Sequence, residues 1–243
     1  MSYRWKLTVL TVCALGAALF LLLPLLMSQR SQLRSKIREA ERDYQKHGGE
    51  WPVQRLADWA AERSLYCELG ELALDDSESL ILRERAVQVL GAIGDERAVS
   101  CLWTIIARTE GRADRRSMPT RDEPIIMGHA ILQLREARGP VELGRLLEIA
   151  RAENEWLGCR REALRVIQAR GTATEVPELI RLYQAVGTET LRPQIARVVE
   201  ELASTDFGDY HEDKQAFCRR FEAWAAARGC VSHPTATTTR SAD

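Results

Sequence analysis

The sequence predicts an all-α protein in which an N-terminal transmembrane helix is followed by an α-α superhelix, or solenoid, of repeated helical pairs. Residues 7–27 carry no charged side chain. Later segments repeat apolar residues at helical spacing, which is typical of stacked amphipathic helices. Strands are not predicted, because Val, Ile and Thr do not fall into the alternating runs that half-buried strands require.

Composition sets the broad class of the protein. The chain has 243 residues, of which 28% are charged and 45% hydrophobic, so it is long enough for one sizeable core with accessory segments. Its net charge of -1 provides no overall attraction to nucleic acid. Nucleic acid is therefore not a predicted partner.

The uncharged run over residues 7–27 is predicted to be a single membrane anchor after a short tail at residues 1–6. As a helix, its 21 residues span roughly 30 Å, the thickness of a hydrocarbon core. A cleaved signal peptide is the alternative, since Arg4 and Lys6 precede the run. The run is longer than the apolar region of a signal peptide, and no A-x-A pattern precedes its end, which favours the anchor.

Basic residues around the span bear on its orientation. More of them follow the span than precede it, which favours the cytoplasmic side for the large domain. A short basic N-terminal tail that stays inside is the opposite alternative. The basic residues that follow closely are Arg30, Arg34, Lys36, Arg38 and Arg42.

Residues 28–49 are predicted to form a helical stalk next to the membrane. Leu33, Ile37, Ala40 and Tyr44 follow the four-three-four spacing of a heptad seam. Two heptads are fewer than a self-sufficient coiled coil needs, so we expect a solvated helix. Weak self-association through the stalk is the alternative, because a membrane raises the effective concentration of the proteins anchored in it.

The repeat domain is predicted over residues 50–229, and its clearest unit is a helical hairpin over residues 80–106. Ala86 and Leu90 lie on one face of the first helix. Gly94 follows at a point where a left-handed residue ends a helix at little cost, and Asp95 completes the short turn. A single hairpin cannot bury both of its faces, so the chain is expected to repeat it.

An alanine of this hairpin recurs through the domain. Ala86, Ala130, Ala163 and Ala196 lie 44, 33 and 33 residues apart. The excess of 11 residues in the first interval matches an inserted basic loop at residues 109–123, which has no apolar stripe. Regular spacing of helical pairs indicates a solenoid, in which each unit buries its stripe against its neighbours.

The segment LRERAVQVLGAIGDERAVSCL resembles a HEAT repeat of the short, bacterial type that also occurs in phycobilin lyase subunits. The resemblance extends over residues 51–203. It is closest at the turn from Leu90 to Asp95 and looser later, where Gly139 and Gly171 stand in the place of the aspartate. The family implies a right-handed superhelix that presents one surface to a partner, and it implies no activity.

The C-terminal part is predicted to close the domain. Phe217, Phe221 and Trp224 fall on one stripe of a helix over residues 213–228, and such a stripe covers the open end of a solenoid. Carboxylates in the segment 206–213 are interpreted as helix caps rather than as metal ligands. The polar tail at residues 230–243 is predicted to be disordered.

No catalytic, cofactor-binding or metal-binding residue is predicted. The cysteines show no CxxC spacing and the four histidines lie in different segments, so neither a zinc site nor a nucleophile with its base is indicated. The protein is therefore not predicted to be an enzyme. The alternative is a lyase-like enzyme subunit, catalytic or not, which rests only on likeness to the lyase repeats.

The predicted function is that of a membrane-anchored scaffold or adaptor that binds a protein partner. A second alternative is a binder of polyanions or lipid headgroups, because the basic loop is tethered near a charged membrane surface. A solvated insert is the plainer interpretation of that loop. The loop arginines that would contact an anionic surface are Arg112, Arg115, Arg116 and Arg121.

A partner-binding row is predicted from helical geometry. Positions two before and two after the recurrent alanine point about 160° away from it. The resemblance to HEAT repeats implies that they line the concave side of the superhelix, and an ordinary solvated face is the alternative. Arg161 and Arg165 are the basic centre of the row, while Leu132 and Val198 are expected to be exposed apolar side chains. The full row is Glu84, Gln88, Gly128, Leu132, Arg161, Arg165, Gln194 and Val198.

Overall fold

A computed structural model gives the structure of residues 29–110, 122–186, 190–208 and 213–228. Every regular element in these ranges is a helix, which confirms the predicted all-α class for this part of the chain. The first helix, α1, covers residues 29–47 of the described chain. The others are α2 (Val53–Glu62), α3 (Tyr66–Leu74), α4 (Leu80–Ile93), α5 (Glu96–Thr109), α6 (Glu123–Gln133), α7 (Leu143–Arg151), α8 (Leu157–Arg170), α9 (Val176–Ala185), α10 (Arg192–Leu202) and α11 (Lys214–Ala227), with a short 3-10 helix at Ala173–Glu175.

Three predicted features lie outside the described residues: the anchor at residues 7–27, the arginines of the basic loop and the tail at residues 230–243. Helix α5 ends at Thr109 and α6 begins at Glu123, in agreement with the predicted bounds of the loop. No helix in the described ranges is both long enough and apolar enough to cross a bilayer. The four loop arginines that fall outside are Arg112, Arg115, Arg116 and Arg121.

The described chain forms two compact units. Unit 1 contains the described residues up to Arg108 together with Glu136–Gly139. Unit 2 contains the described residues of Thr109–Arg135 and those from Pro140 onward. Each unit has its own set of fully buried apolar side chains.

Helix α4 is the centre of unit 1. It packs against α2 and α3, and Ala86 and Leu90 are fully buried, as the apolar stripe predicts. Ser79 caps its first turn by accepting a hydrogen bond from the Leu82 N–H. Gly94 ends the helix in the left-handed conformation at φ +59°, which confirms the glycine stop read from the sequence.

Helix α1 belongs to the core of unit 1, which corrects the prediction of a solvated stalk. Leu33 and Ile37 are only 1% and 0% exposed. The predicted helix is present, but other residues of the same chain cover its apolar seam. This burial is favourable because it removes the side chains from water. The Arg34 guanidinium also holds the helix by an ion pair of 2.6 Å to Glu78. A dimer through Leu33 and Ile37 would first have to uncover them.

Unit 2 has its helices in two layers. Helices α6, α8 and α10 lie side by side in one layer, while α7 and α9 are neighbours in the other. The Gln194 side chain of α10 donates to the Arg161 carbonyl of α8 at 3.0 Å, and these residues are 33 positions apart. Gln168 and Glu201, again 33 apart, form a second link between the same helices. The sequence period is therefore present as lateral contact between equivalent helices.

The recurrent alanines are buried in both units. Ala86, Ala130, Ala163 and Ala196 each have no exposed surface, so the prediction that they mark the buried stripe is confirmed. A side chain with a single methyl group lets neighbouring helices approach closely without leaving a polar group unsatisfied. This explains why a small apolar residue recurs at these positions.

Two buried arginines, each three residues before a recurrent alanine, make equivalent hydrogen bonds to the preceding helix. The Arg83 Nε donates to the carbonyl of Ala73 at 2.9 Å, ten residues earlier. The Arg160 Nε donates to the carbonyl of Ala150 at 2.9 Å, again ten residues earlier. Each acceptor lies at the end of the preceding helix, where carbonyl groups lack an intrahelical partner. The apolar spacing of the helices does not predict this pair.

The turn glycines correct the alignment of the later repeats. Gly171 is the C-terminal cap of α8, as Gly94 is of α4, so it matches the glycine and not the aspartate. Thr172 takes the place of Asp95, because each caps the helix that follows. The predicted equivalence of Gly171 with Asp95 is therefore wrong by one residue.

The C-terminal helix α11 packs on α10 in unit 2. Phe217 and Phe221 of its predicted stripe are buried, and both meet Phe207 edge-on with ring centres 5.9 and 5.5 Å apart. The Asp213 carboxylate accepts a hydrogen bond from the Ala216 N–H at 2.9 Å. Its predicted role as a helix cap is confirmed, and this contact keeps the pKa of Asp213 below its usual range.

Candidate protein-interaction face

The basic centre of the predicted row is exposed on α8 in unit 2. Arg161 and Arg165 lie one turn apart with their side chains in solvent, as expected from their offset from Ala163. Arg165 pairs with Glu162 on the same helix. The Arg161 guanidinium forms no ion pair with any residue that the structure describes. Its positive charge is available to a partner.

The part of the row on α4 belongs to unit 1. Glu84 and Gln88 are half-buried there. The Gln88 side chain accepts a hydrogen bond of 2.8 Å from Arg85, so it is occupied within its own unit. These two residues and the α8 pair are therefore considered as separate surfaces.

Val198 corrects the prediction on α10, because it is 0% exposed rather than a free apolar side chain. Helix α10 contacts α8, α9 and α11, so its apolar surface is wider than a single stripe and includes the position two residues after Ala196. Arg197 is the exposed residue at that level, while Gln194 is half-buried and bonded to α8. Arg197 forms no ion pair among the described residues.

Helix α6 carries the remaining predicted positions. Leu132 is half-buried rather than fully exposed, and Gly128 is buried. A Cβ placed at Gly128 would lie 3.9 Å from the Trp156 ring and 3.9 Å from the Cys159 sulfur. The indole ring therefore covers the site where α6 has no side chain.

Trp156 is a feature of this face that the sequence analysis missed. It stands immediately before α8, and with 38% of its surface exposed it is one of the few large apolar side chains left exposed in the described chain. A Cβ at Gly158 would lie only 2.5 Å from the ring, so the indole packs flat against that glycine. The sequence feature that could have indicated this packing is a tryptophan at the start of a helix with a glycine two positions later.

The thiol beneath the face is inert. Cys159 is buried and donates a hydrogen bond to the Pro124 carbonyl at 3.2 Å. Burial raises the pKa of this thiol to about 12, so it is protonated at neutral pH and is a poor nucleophile. The groups of this face that another molecule can reach are therefore the indole and guanidinium groups.

We name this surface the α8 face. It joins one aromatic side chain, three arginines and two half-buried residues from neighbouring helices of one layer. Trp and Arg are the residue types that contribute most to binding in protein interfaces. The members of the α8 face are Leu132, Trp156, Arg161, Arg165, Gln194 and Arg197.

Comparisons of the chain with protein-family models, curated proteins and solved structures found no match. The function proposed below therefore rests on the geometry of the α8 face and on the patterns in the sequence.

Proposed function

We propose that the chain is a protein-binding scaffold built as a HEAT-like α-solenoid and held at a membrane by residues 7–27, with its large domain on the cytoplasmic side. The observation that supports a binding role is the exposed indole of Trp156 beside exposed arginines on α8. Leaving a large aromatic ring in water is unfavourable, so a protein partner that covers Trp156 gains free energy. No catalytic role is part of the proposal.

The width of the α8 face favours a protein partner over a small molecule. Its members lie on three adjacent helices, whose axes in such layers are about 8–10 Å apart. A surface about 20 Å across matches one side of a protein interface better than a ligand pocket, which surrounds its ligand.

The charge of the α8 face indicates the chemistry of its partner. Arg161 and Arg197 have no carboxylate partner within the described ranges, and their exposed guanidinium groups attract an acidic surface. We propose a partner that places carboxylates around an apolar pocket for the Trp156 ring. The lateral links between α8 and α10 keep these groups in a constant arrangement.

The test is quantitative capture of proteins from detergent-solubilised membranes by the full chain and its variants. Trp156→Ala and the double variant Arg161→Glu with Arg165→Glu are expected to lose the same captured proteins, because both remove contacts at one face. Arg181→Glu is the matched control, since it reverses an exposed charge on α9 in the other layer. It is expected to retain those proteins.

Two results would contradict the proposal. If both α8-face variants have an unchanged melting temperature and capture the same proteins as the wild type, the face is not the docking surface. If Arg181→Glu loses the same proteins, capture depends on overall charge. Carbonate washing before solubilisation tests the anchor separately, because a chain released at full length is not integral to the membrane.

A further inference from the structure

A groove runs through unit 1 between α1 and the start of α4. Its volume is about 660 Å³. Four arginines line it, three from α1 and one from α4, and a single lining carboxylate accompanies them. The lining residues that matter here are Arg34, Arg38, Arg42, Arg85, Glu41 and Ile81.

The arginines leave an excess of positive charge in the groove. Arg34 and Arg38 share the buried carboxylate of Glu78, at 2.6 and 2.9 Å, and one carboxylate cannot neutralise two guanidinium groups. Asp75 lies 3.5 Å from Arg34 but bonds mainly to Arg30. The buried Nε of Arg34 donates no hydrogen bond within the described structure.

The outer end of the groove has the most available charge. Arg42 is exposed and forms no ion pair with a described residue, and its Nε reaches only the Arg38 carbonyl at 3.4 Å. Arg85 is instead held in place, because its Nε bonds to Glu41 at 2.7 Å and its guanidinium lies 4.3 Å from the centre of the Trp51 ring. In the groove, Arg85 is therefore held in a fixed position, whereas the exposed Arg42 guanidinium can pair with a ligand.

The shape of the groove selects an extended ligand. Its lining on α1 runs from Ser31 to Arg42, which is about 16 Å at the rise of an α-helix. An extended peptide covers that distance with about five residues. Ile81, one of the few large apolar side chains left exposed in the described chain at 48%, lies on the opposite wall. A single phosphate headgroup would not fill this length.

The long segments of this chain outside the described ranges do not complement the groove, and the short acidic ones, residues 187–189 and 209–212, have fewer residues than the five that its length accommodates. Residues 7–27 have no charge, and residues 111–121 contain four arginines and one aspartate. The tail at residues 229–243 contains a single carboxylate side chain. We therefore expect an acidic ligand of this length to come from another molecule.

We propose that the α1–α4 groove binds an extended acidic segment of a partner protein. Arg42 and the outer nitrogen atoms of Arg38 pair with its carboxylates, and Ile81 contacts one of its apolar side chains. The site lies in unit 1 and does not depend on the α8 face. Loss of one site leaves the other available for measurement.

The test measures binding of a fluorescein-labelled peptide of alternating Glu and Leu to the purified full chain in detergent micelles by fluorescence anisotropy. Arg42→Glu is expected to weaken binding by about tenfold or more, because it replaces an attraction with a repulsion. Ile81→Ser is expected to weaken it by a smaller factor. Raising the salt concentration should lower the affinity of the wild type, since exposed charges are screened.

The matched control is Lys46→Glu, which makes the same charge change one turn further along α1 and outside the groove lining. It is expected to bind the peptide like the wild type. Equal weakening by Lys46→Glu, or unchanged binding by Arg42→Glu, would overturn the proposal. So would tighter binding of short-chain phosphatidylserine than of the peptide, with the same dependence on Arg42 and Ile81, because the groove would then be a lipid site.

Discussion

The turn after α4 and the turn after α8 follow equivalent helices but are stabilised in different ways. Both helices contain a buried arginine and a buried alanine at the same relative positions, and both end at a glycine. Gly94 is left-handed at φ +59°, whereas Gly171 is extended with φ -74° and ψ 170°. Equivalent helices therefore do not guarantee equivalent turns.

The first turn is held by residues far away in the sequence. The Gly94 carbonyl accepts hydrogen bonds from the N–H groups of Arg138 and Gly139, at 2.7 and 3.0 Å. The Asp95 carboxylate accepts from the Ala98 N–H at 2.9 Å and from the Tyr66 hydroxyl at 2.8 Å. This turn joins three segments of unit 1.

The second turn is held by its own residues. The Thr172 hydroxyl accepts from the Thr174 N–H at 3.2 Å, and the Glu175 carboxylate accepts from the Thr172 N–H at 2.6 Å. This reciprocal arrangement is a capping box, which satisfies backbone donors without help from distant segments. The difference shows that the same helical pattern can be followed by a turn held by distant segments or by a turn held by its own residues.

The feature common to both repeats should give the largest effect on stability. Arg83→Met and Arg160→Met are each expected to lower the free energy of unfolding by about 2–3 kcal/mol, because a buried carbonyl loses its charged donor. Arg161→Met is the control, since its side chain is exposed, and its stability should equal that of the wild type. Urea unfolding followed by circular dichroism measures all three. A stable Arg160→Met would show that the two arginines are not equivalent.

Substitutions at the two turn glycines test two causes of destabilisation: a left-handed backbone at Gly94 and steric crowding at Gly171. Gly94→Ala is expected to cost about 1–2 kcal/mol, because an L residue is strained at positive φ and its Cβ would also lie 3.0 Å from the Gly91 carbonyl oxygen. Gly94→Asn should cost less, since Asn adopts this conformation more easily. At Gly171 the difficulty is a Cβ 2.5 Å from the Ile167 carbonyl oxygen, so Asn should be no better than Ala. Urea unfolding of the four variants provides the measurement.

A control for the glycine series is Gly70→Ala. This glycine lies within α3, and a Cβ there would meet no atom within 4 Å, so the substitution should stabilise unit 1 slightly. If Asn improves on Ala equally at both turns, the assigned difference in backbone conformation is wrong.

The smallest expected effect is a change in alkaline stability at the first turn. The hydrogen bond to Asp95, and then burial, raise the pKa of Tyr66 above its ordinary value. Its contribution is thus fully present below about pH 10 and lost as the pH rises through the folded-state pKa. Tyr66→Phe should cost about 1 kcal/mol at neutral pH and reduce the alkaline loss.

Urea unfolding of wild type and Tyr66→Phe at neutral and alkaline pH measures this effect. Some alkaline loss should persist in the variant, because burial raises the pKa of Cys101 in the same unit to about 11 and the sign is the same. An identical alkaline slope in both proteins would mean that the Tyr66 hydroxyl does not contribute through Asp95.

Local pattern alone was sufficient for much of the helical architecture. The apolar spacing around Ala86 and Ala163 predicted which helix faces are buried, because an amphipathic stripe has only one favourable side. Gly94 and Asp95 predicted the end of α4 and the start of α5 for the same kind of local reason. The exposure of Arg161 and Arg165 also followed from their offset from an alanine.

Tertiary packing decided the features that depend on more than one neighbour. The sequence by itself determined that α1 is an amphipathic helix, but only packing decided that Leu33 and Ile37 face the core of unit 1 rather than solvent or a second chain. Val198 is buried because α10 contacts three helices, which a single-stripe rule does not include. The Trp156 ring lies over Gly128 and Gly158, where α6 and α8 have no side chain, and part of the residue stays exposed. The physical reason is that helical periodicity fixes the direction of a side chain relative to its own axis, whereas its burial depends on how many other elements approach that direction.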